Sequence, residues 1–211
     1  MNFEWYVSEF HNRYGDKPLS LWITGGGFAF LDILRVPGSS RFLHEVVIPY
    51  SETAIIQRVY GYGNAAANLA LQKNKLKSCD PSSVGDYAEA MTRTAPPNGL
   101  CIAVTAALTT NRYRRGSNRA YFGVVRKQRM WERELWELTM LLPTEKVFKG
   151  GSAYLSLRRR EDELIAIAIM ALATGDFDTF KLPLNDSIAR FNSLDEETVE
   201  AFQMVILGDV E

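Results

Sequence analysis

Two short stretches join glycine to hydroxyl side chains in a way that suits an anion or a nucleophile. Thr24-Gly25-Gly26-Gly27 follows the apolar run LSLWI at 19–23, and Pro37-Gly38-Ser39-Ser40 precedes the segment EVVIPY at 45–50. A glycine run between a strand and a helix exposes backbone amides at the positive end of that helix, where a phosphate can bind. A tight turn that needs residues without a Cβ explains the same glycines. The pattern is neither Gly-x-Gly-x-x-Gly nor a glycine loop with a lysine, so the dinucleotide fold and the P-loop nucleotidases fail on residue type. Ser39 and Ser40 are equally suited to capping a short helix. As a nucleophile, Ser40 would need a neighbour that accepts its proton. His44, four residues on, shares a face with it if that stretch is helical.

A third polar cluster is the stretch TTNRYRRGSNR at 109–119, which carries Arg112, Arg114, Arg115 and Arg119 between two β-rich runs. Guanidinium forks match phosphate oxygens, and a loop at a strand end is where such ligands are met. An exposed basic loop without a ligand has the same composition. Arg158-Arg159-Arg160, followed by Glu161-Asp162-Glu163, reads as charges paired on the surface.

These residues must be held by a chain of 211 residues with 46% hydrophobic content, enough to bury a sizeable core as one domain with an appendage. The 24 basic and 25 acidic residues nearly cancel, so no global field draws in nucleic acid or an anionic membrane, and neither is expected as a partner. Cys79 and Cys101 form no disulfide framework, and with only His11 and His44 beside them they offer no metal-ligand spacing. No metal and no cofactor are therefore expected, and a reducing cytoplasm is the default location. The opening MNFEWYVSEFHNRYG lacks the basic and apolar regions of a signal peptide. The longest apolar run, LIAIAIMALA at 164–173, is too short to span a bilayer and predicts a buried helix.

Helical spacing of Phe3, Tyr6, Val7 and Phe10 predicts a helix over 2–13, and LSLWI a buried strand. GFAFLDILRV predicts a helix stopped by Pro37. A strand over 45–50, helices over 51–61, 64–76 and 82–95, and β-rich runs over 100–108, 119–126 and 130–141 follow. The last run presents Trp131 and Trp136, whose apolar area suits a subunit or tail contact. EDELIAIAIMALATG predicts a helix closed by Gly175, and an acidic tail predicts a helix over 195–206. This order argues for an α/β fold: a three-layer α/β/α sandwich with a mixed sheet over residues 1–175, then a short, partly helical tail over 176–211.

The glycine loop after the first strand, Val-Pro-Gly-Ser-Ser at 36–40, Tyr50-Ser51 ten residues on, Ala103-Val104-Thr105 before a strand-joining loop, and a closing helix preceded by arginine together resemble the CinA C-terminal domain family. The likeness covers about residues 18–175. The family includes nicotinamide mononucleotide amidases, and the resemblance implies a homodimer. It also implies that Ser40 matches the family's proposed nucleophile, that Tyr50 matches the assisting tyrosine, and that Ile55 stands where the family has its basic lysine. Chains that lack this lysine form a subgroup at the front of eukaryotic proteins with a nucleotidylyltransferase-like second half, and this chain is most similar to them.

Aliphatic Ile55 cannot accept a proton, whereas ligand contacts can outlast the loss of a base. The expected function is therefore binding of a nucleotide-like small molecule, nicotinamide mononucleotide first, with weak or absent amidase activity. The alternatives are an active amidase that uses Ser40 with His44, Lys73 or another residue as base, and an oligomerising module with a vestigial pocket. The expected ligand site gathers Thr24, Gly25, Gly26, Gly27, Ser39 and Thr105, closed by Arg112 and Arg115. Ser40 and Tyr50 are expected to converge there, so that Ile55→Lys would restore a small amidase activity dependent on Ser40.

Overall fold

A computed structural model describes residues 2–61, 79–110, 117–127, 131–140, 153–180 and 189–194. The predicted helices at 64–76 and 195–206, Lys73, Arg112, Arg114 and Arg115 lie outside these residues. The chain opens with helix α1 (Phe3–Arg13), capped by the Asn2 side chain, which accepts from the Trp5 amide. Strand β1 (Leu19–Thr24) is buried along its whole length. A 3-10 helix over Phe28–Arg35 follows, then a single 3-10 turn over Ser39–Arg41, strand β2 (Leu43–Val47) and helix α2 (Glu52–Tyr60). Helix α3 (Pro81–Met91) precedes strands β3 (Leu100–Ala107), β4 (Asn118–Lys127) and β5 (Trp131–Met140). Helix α4 (Ala153–Thr174) and strand β6 (Ala189–Leu194) complete the order.

The six strands form one mixed sheet in the order β2-β1-β3-β4-β5-β6. β1 runs parallel to β2 and β3, while β4, β5 and β6 each pair antiparallel to the strand before. Strand alternation sends Leu19, Leu21, Ile23, Ile102, Val104, Ala120 and Phe122 to one face, where α1, the 3-10 helix and α4 cover them in one apolar cluster. Trp22, Cys101, Ala103, Tyr121 and Val125 fall on the other face, under Ile55 and Val59 of α2 and Val84, Tyr87 and Ala88 of α3. This is the expected three-layer α/β/α sandwich. Among the described residues no helix is long and apolar enough to cross a membrane, and no group of His, Cys, Asp and Glu is arranged to hold a metal ion.

Several elements differ from their sequence expectation. The stretch after Gly27 is a 3-10 helix rather than an α-helix. The predicted strand at 45–50 ends at Val47, before Pro49, which has no amide hydrogen to donate to a ladder. Helix α4 begins eight residues earlier than predicted, because the arginines ahead of Glu161 are good helix formers. Residues 189–194, placed in the tail on sequence grounds, pair with β5 and extend the sheet, so its last strand comes from beyond residue 175. The Trp136 ring stacks on Phe177, with centroids 5.3 Å apart, which ties the start of the same segment to β5.

Candidate functional site

In a sheet with parallel strands, ligands meet the crevice beyond the carboxyl ends, where backbone groups and loop side chains converge. Here that end is formed by Thr24, which closes β1, and its neighbour Thr105 in β3. Beyond Thr24 the chain turns through Gly25 at φ +83°, and a Cβ on that residue would lie 2.1 Å from the Ala106 carbonyl oxygen. The loop is therefore laid directly on β3, and the glycine is required sterically as well as conformationally.

On the α4 side of this end the loop is held by side chains of α4. The amides of Gly27 and Phe28 donate to Asp162 Oδ1 at 2.6 and 3.2 Å, and the Ala29 amide donates to Oδ2 at 2.7 Å. Gly27 is the last residue of the expected ligand loop, and an internal carboxylate occupies its amide and the two that follow. One turn earlier in α4, Arg158 donates to the Thr109 carbonyl at 2.9 Å and to the Gly25 carbonyl at 3.3 Å. Glu161, which is fully buried, accepts from the Thr109 amide, the Thr109 hydroxyl and the Asn118 side-chain amide. The reading of 158–163 as surface charge pairs thus holds for Arg159, whose Nε lies 3.2 Å from Glu163, and is corrected for Arg158, Glu161 and Asp162. Arg158, Glu161 and Asp162 continue, at helical spacing, the stripe of Ile165 and Ile169 that packs on Gly27. That spacing was the signal available in the sequence.

The α2/α3 side is different. Thr24 Oγ1 accepts from the Trp22 indole at 3.0 Å and donates to the Pro49 carbonyl at 3.3 Å, which brings the end of the β2 connection against β1. Tyr50, the next residue, is 70% exposed and tilts its ring against Phe28 at 6.5 Å. Tyr121, opposite Thr105 across the β3–β4 ladder, receives a hydrogen bond from Arg119 Nη1 at 3.4 Å. Arg119 also donates through Nε to Ser117 at 3.1 Å and lies 3.7 Å from Glu137. The bond to Tyr121, with Glu137 beside it, holds the Arg119 pKa above its ordinary value. Burial pushes the Tyr121 phenol up while the Arg119 hydrogen bond pulls it down. Cys79 completes the cluster, donating to the Thr105 carbonyl at 3.9 Å.

The two serines lie elsewhere. The Leu19 amide donates to the Phe42 carbonyl at 2.7 Å, so the 39–41 turn abuts the start of β1, whereas the glycine loop follows its end. Six residues of β1 separate them, an axial distance of about 16 Å. Ser39 is buried and donates to the Ile33 carbonyl at 2.6 Å and the Val36 carbonyl at 3.1 Å, with His11 Nε2 3.4 Å away. Ser40 is exposed, makes no side-chain hydrogen bond among the described residues, and lies in a 3-10 turn. The expected convergence of Ser40 with Tyr50, and of Ser39 and Ser40 with Thr24–Gly27, does not occur: β2 runs from the serine end to the tyrosine end. His44, exposed on β2, is not in a helix with Ser40. Ile55 is 4% exposed, within the cluster of Trp22, Val59, Val84 and Tyr87.

A cavity of about 620 Å³ is lined by Val59, Tyr60, Asp86, Arg93, Val125 and Arg133, and contains none of the candidate site residues of the sequence. The candidate site is the carboxyl end of β1 and β3, the topological end of the parallel strands, where Arg119, Tyr121 and Tyr50 lie.

No protein-family model matches the chain, and no curated protein matches it. Solved structures do resemble it. The competence/damage-inducible protein CihA from Agrobacterium tumefaciens superposes with a TM-score of 0.53 at 12% identity, covering 82% of this chain and 96% of that one. A competence-damaged protein (CinA) superfamily protein from Klebsiella pneumoniae also gives 0.53 at 12% identity, over 82% of this chain and 99% of that one. The chain therefore has the fold of CinA-superfamily structures over most of its length.

Proposed function

We propose that this CinA-like domain binds a phosphorylated, nucleotide-like small molecule at the carboxyl ends of β1 and β3 on the α2/α3 side, and that it has no appreciable amidase activity. The observation that carries the reading is Arg119: a part-exposed guanidinium held by Tyr121, Ser117 and Glu137 beside Thr105, at the end of the sheet where Tyr50 stands open to solvent. A fixed guanidinium with donors remaining is complementary to a phosphate, and an exposed phenol ring offers a face to a base or nicotinamide ring. The amides of Gly27 to Ala29 take no part, since Asp162 fills them.

Catalysis fails on two counts in this reading. Ser40 is at the other end of β1, and Ile55 brings only aliphatic surface to its cluster. A serine without a proton acceptor is a poor nucleophile.

Titration calorimetry with nicotinamide mononucleotide and with orthophosphate tests the binding. Both are expected to bind, and Arg119→Ala to weaken both by about tenfold, the cost of one charge-assisted contact. Ammonia release from nicotinamide mononucleotide is expected to stay at background in the natural protein and in Ile55→Lys alike. Robust, Ser40-dependent release by the natural protein would establish the active amidase instead. The homodimer implied by the family resemblance belongs to the same reading, and a monomeric mass in light scattering would remove it.

A further inference from the structure

Glu161 is a carboxylate with no exposed surface and no ion pair among the described residues, which is a costly way to fill space in a core. Its surroundings show what it orients. Oε2 accepts from the Thr109 amide at 2.8 Å, and Oε1 accepts from the Thr109 hydroxyl at 2.7 Å and from Asn118 Nδ2 at 2.6 Å. Asn118 Nδ2 also donates to the Thr109 hydroxyl at 2.7 Å. Thr109 lies just past β3 and Asn118 is the first residue of β4, so one side chain of α4 joins both stems of the β3–β4 connection. All the donors converge on two oxygens, a demand that an acceptor-only group meets and an amide does not.

We propose that Glu161 is a positioning residue: by fixing the Asn118 side chain on the α4 face of the sheet, it sets the phase of β4 and so delivers Arg119 to the opposite face, at the candidate site. The link is the two-residue period of a strand. Asn118, Ala120 and Phe122 point toward α4, while Arg119 and Tyr121 point away, and a slip of one residue at the start of β4 would exchange the two sets. The anchor acts where such a slip would begin, because the ladder from Arg119 onward is held by its pairing to β3 and β5 but Asn118 pairs only with Met140. That Arg119 meets a ligand rests on the function proposed above; that Glu161 places Arg119 does not.

The test replaces Glu161 by Gln, which keeps the shape and puts an NH2 among donors. The titration of Tyr121, followed by NMR of a ring label at that residue, reads Arg119 without any ligand. Removing the Arg119 hydrogen bond removes what pulls the phenol down, so its titration is expected to move to higher pH in Glu161→Gln, with orthophosphate affinity falling about tenfold. Asn118→Ala is expected to act in the same direction, and carries the test if Glu161→Gln does not fold. An unchanged Tyr121 titration in a folded variant would overturn the proposal whatever happens to binding. A shifted titration with no orthophosphate binding by the natural protein would leave the positioning role standing and remove the ligand reading.

Discussion

The loops at the two ends of β1 draw on the same kinds of residue, glycine and hydroxyl: Thr-Gly-Gly-Gly at one, Pro-Gly-Ser-Ser at the other. Each couples a left-handed glycine to hydroxyls and leads into a 3-10 segment. Their hydrogen bonds show opposite polarity. The glycine loop donates, and a carboxylate from α4 receives its amides. At the serine loop the buried hydroxyl of Ser39 donates to backbone carbonyls of the preceding segment and fixes the exit from the 3-10 helix. Both loops look like anion sites in one dimension. In three dimensions each is a joint that ties its own segment to the rest of the fold.

The largest effect at either loop is expected at Gly25. A methyl there would meet the Ala106 carbonyl at 2.1 Å on a backbone of positive φ, so Gly25→Ala is expected to cost about 3 kcal/mol or more in urea unfolding. A loss under about 1 kcal/mol would show that the loop does not lie on β3 as described.

Asp162→Ala sharpens the contrast further. It strands three amides and is expected to cost about 2 kcal/mol. It also opens the cradle, so orthophosphate should raise the melting temperature of the variant more than that of the natural protein. Equal shifts in the two proteins would mean that Asp162 does not compete with anions.

At the serine end the expected effects are smaller and unequal. Ser39→Ala is expected to cost about 1 kcal/mol through its two lost carbonyl contacts, with His11 still donating to Ile33. Ser40→Ala, at an exposed hydroxyl, should stay within about 0.5 kcal/mol. A larger effect at Ser40 than at Ser39, by thermal or urea melts, would reverse their assigned roles.

Local patterns carried most of the elements. The apolar periodicity of Phe3, Val7 and Phe10, the run at 19–23, the helix start at 51, where the Ser51 hydroxyl accepts from the Ala54 amide, and the stop at Gly175 all mark real boundaries or buried faces. The strand at 189–194 was not legible, since its pairing partner is the distant edge of β5 and six residues, half of them polar, carry a weak strand signal. Nor was the meeting of α4 with the glycine loop: Asp162 lies 133 residues from Ala29, and no local rule links them.

Residue type and a period of two or 3.6 are enough to read the class of the fold, most of its helices and strands and the aliphatic side chain at position 55. The sequence also put arginines at the β3–β4 connection. That Ser40 and Tyr50 stand at opposite ends of β2 follows from strand pairing, since ten residues can turn back or run straight and here the register Leu19 to Leu43 makes them run straight. The tertiary structure likewise decided which anion the glycine amides meet. A helix that must bury Ile165 and Ile169 against Gly27 brings Asp162 to those amides at the same time, at an effective concentration that a dissolved phosphate does not match.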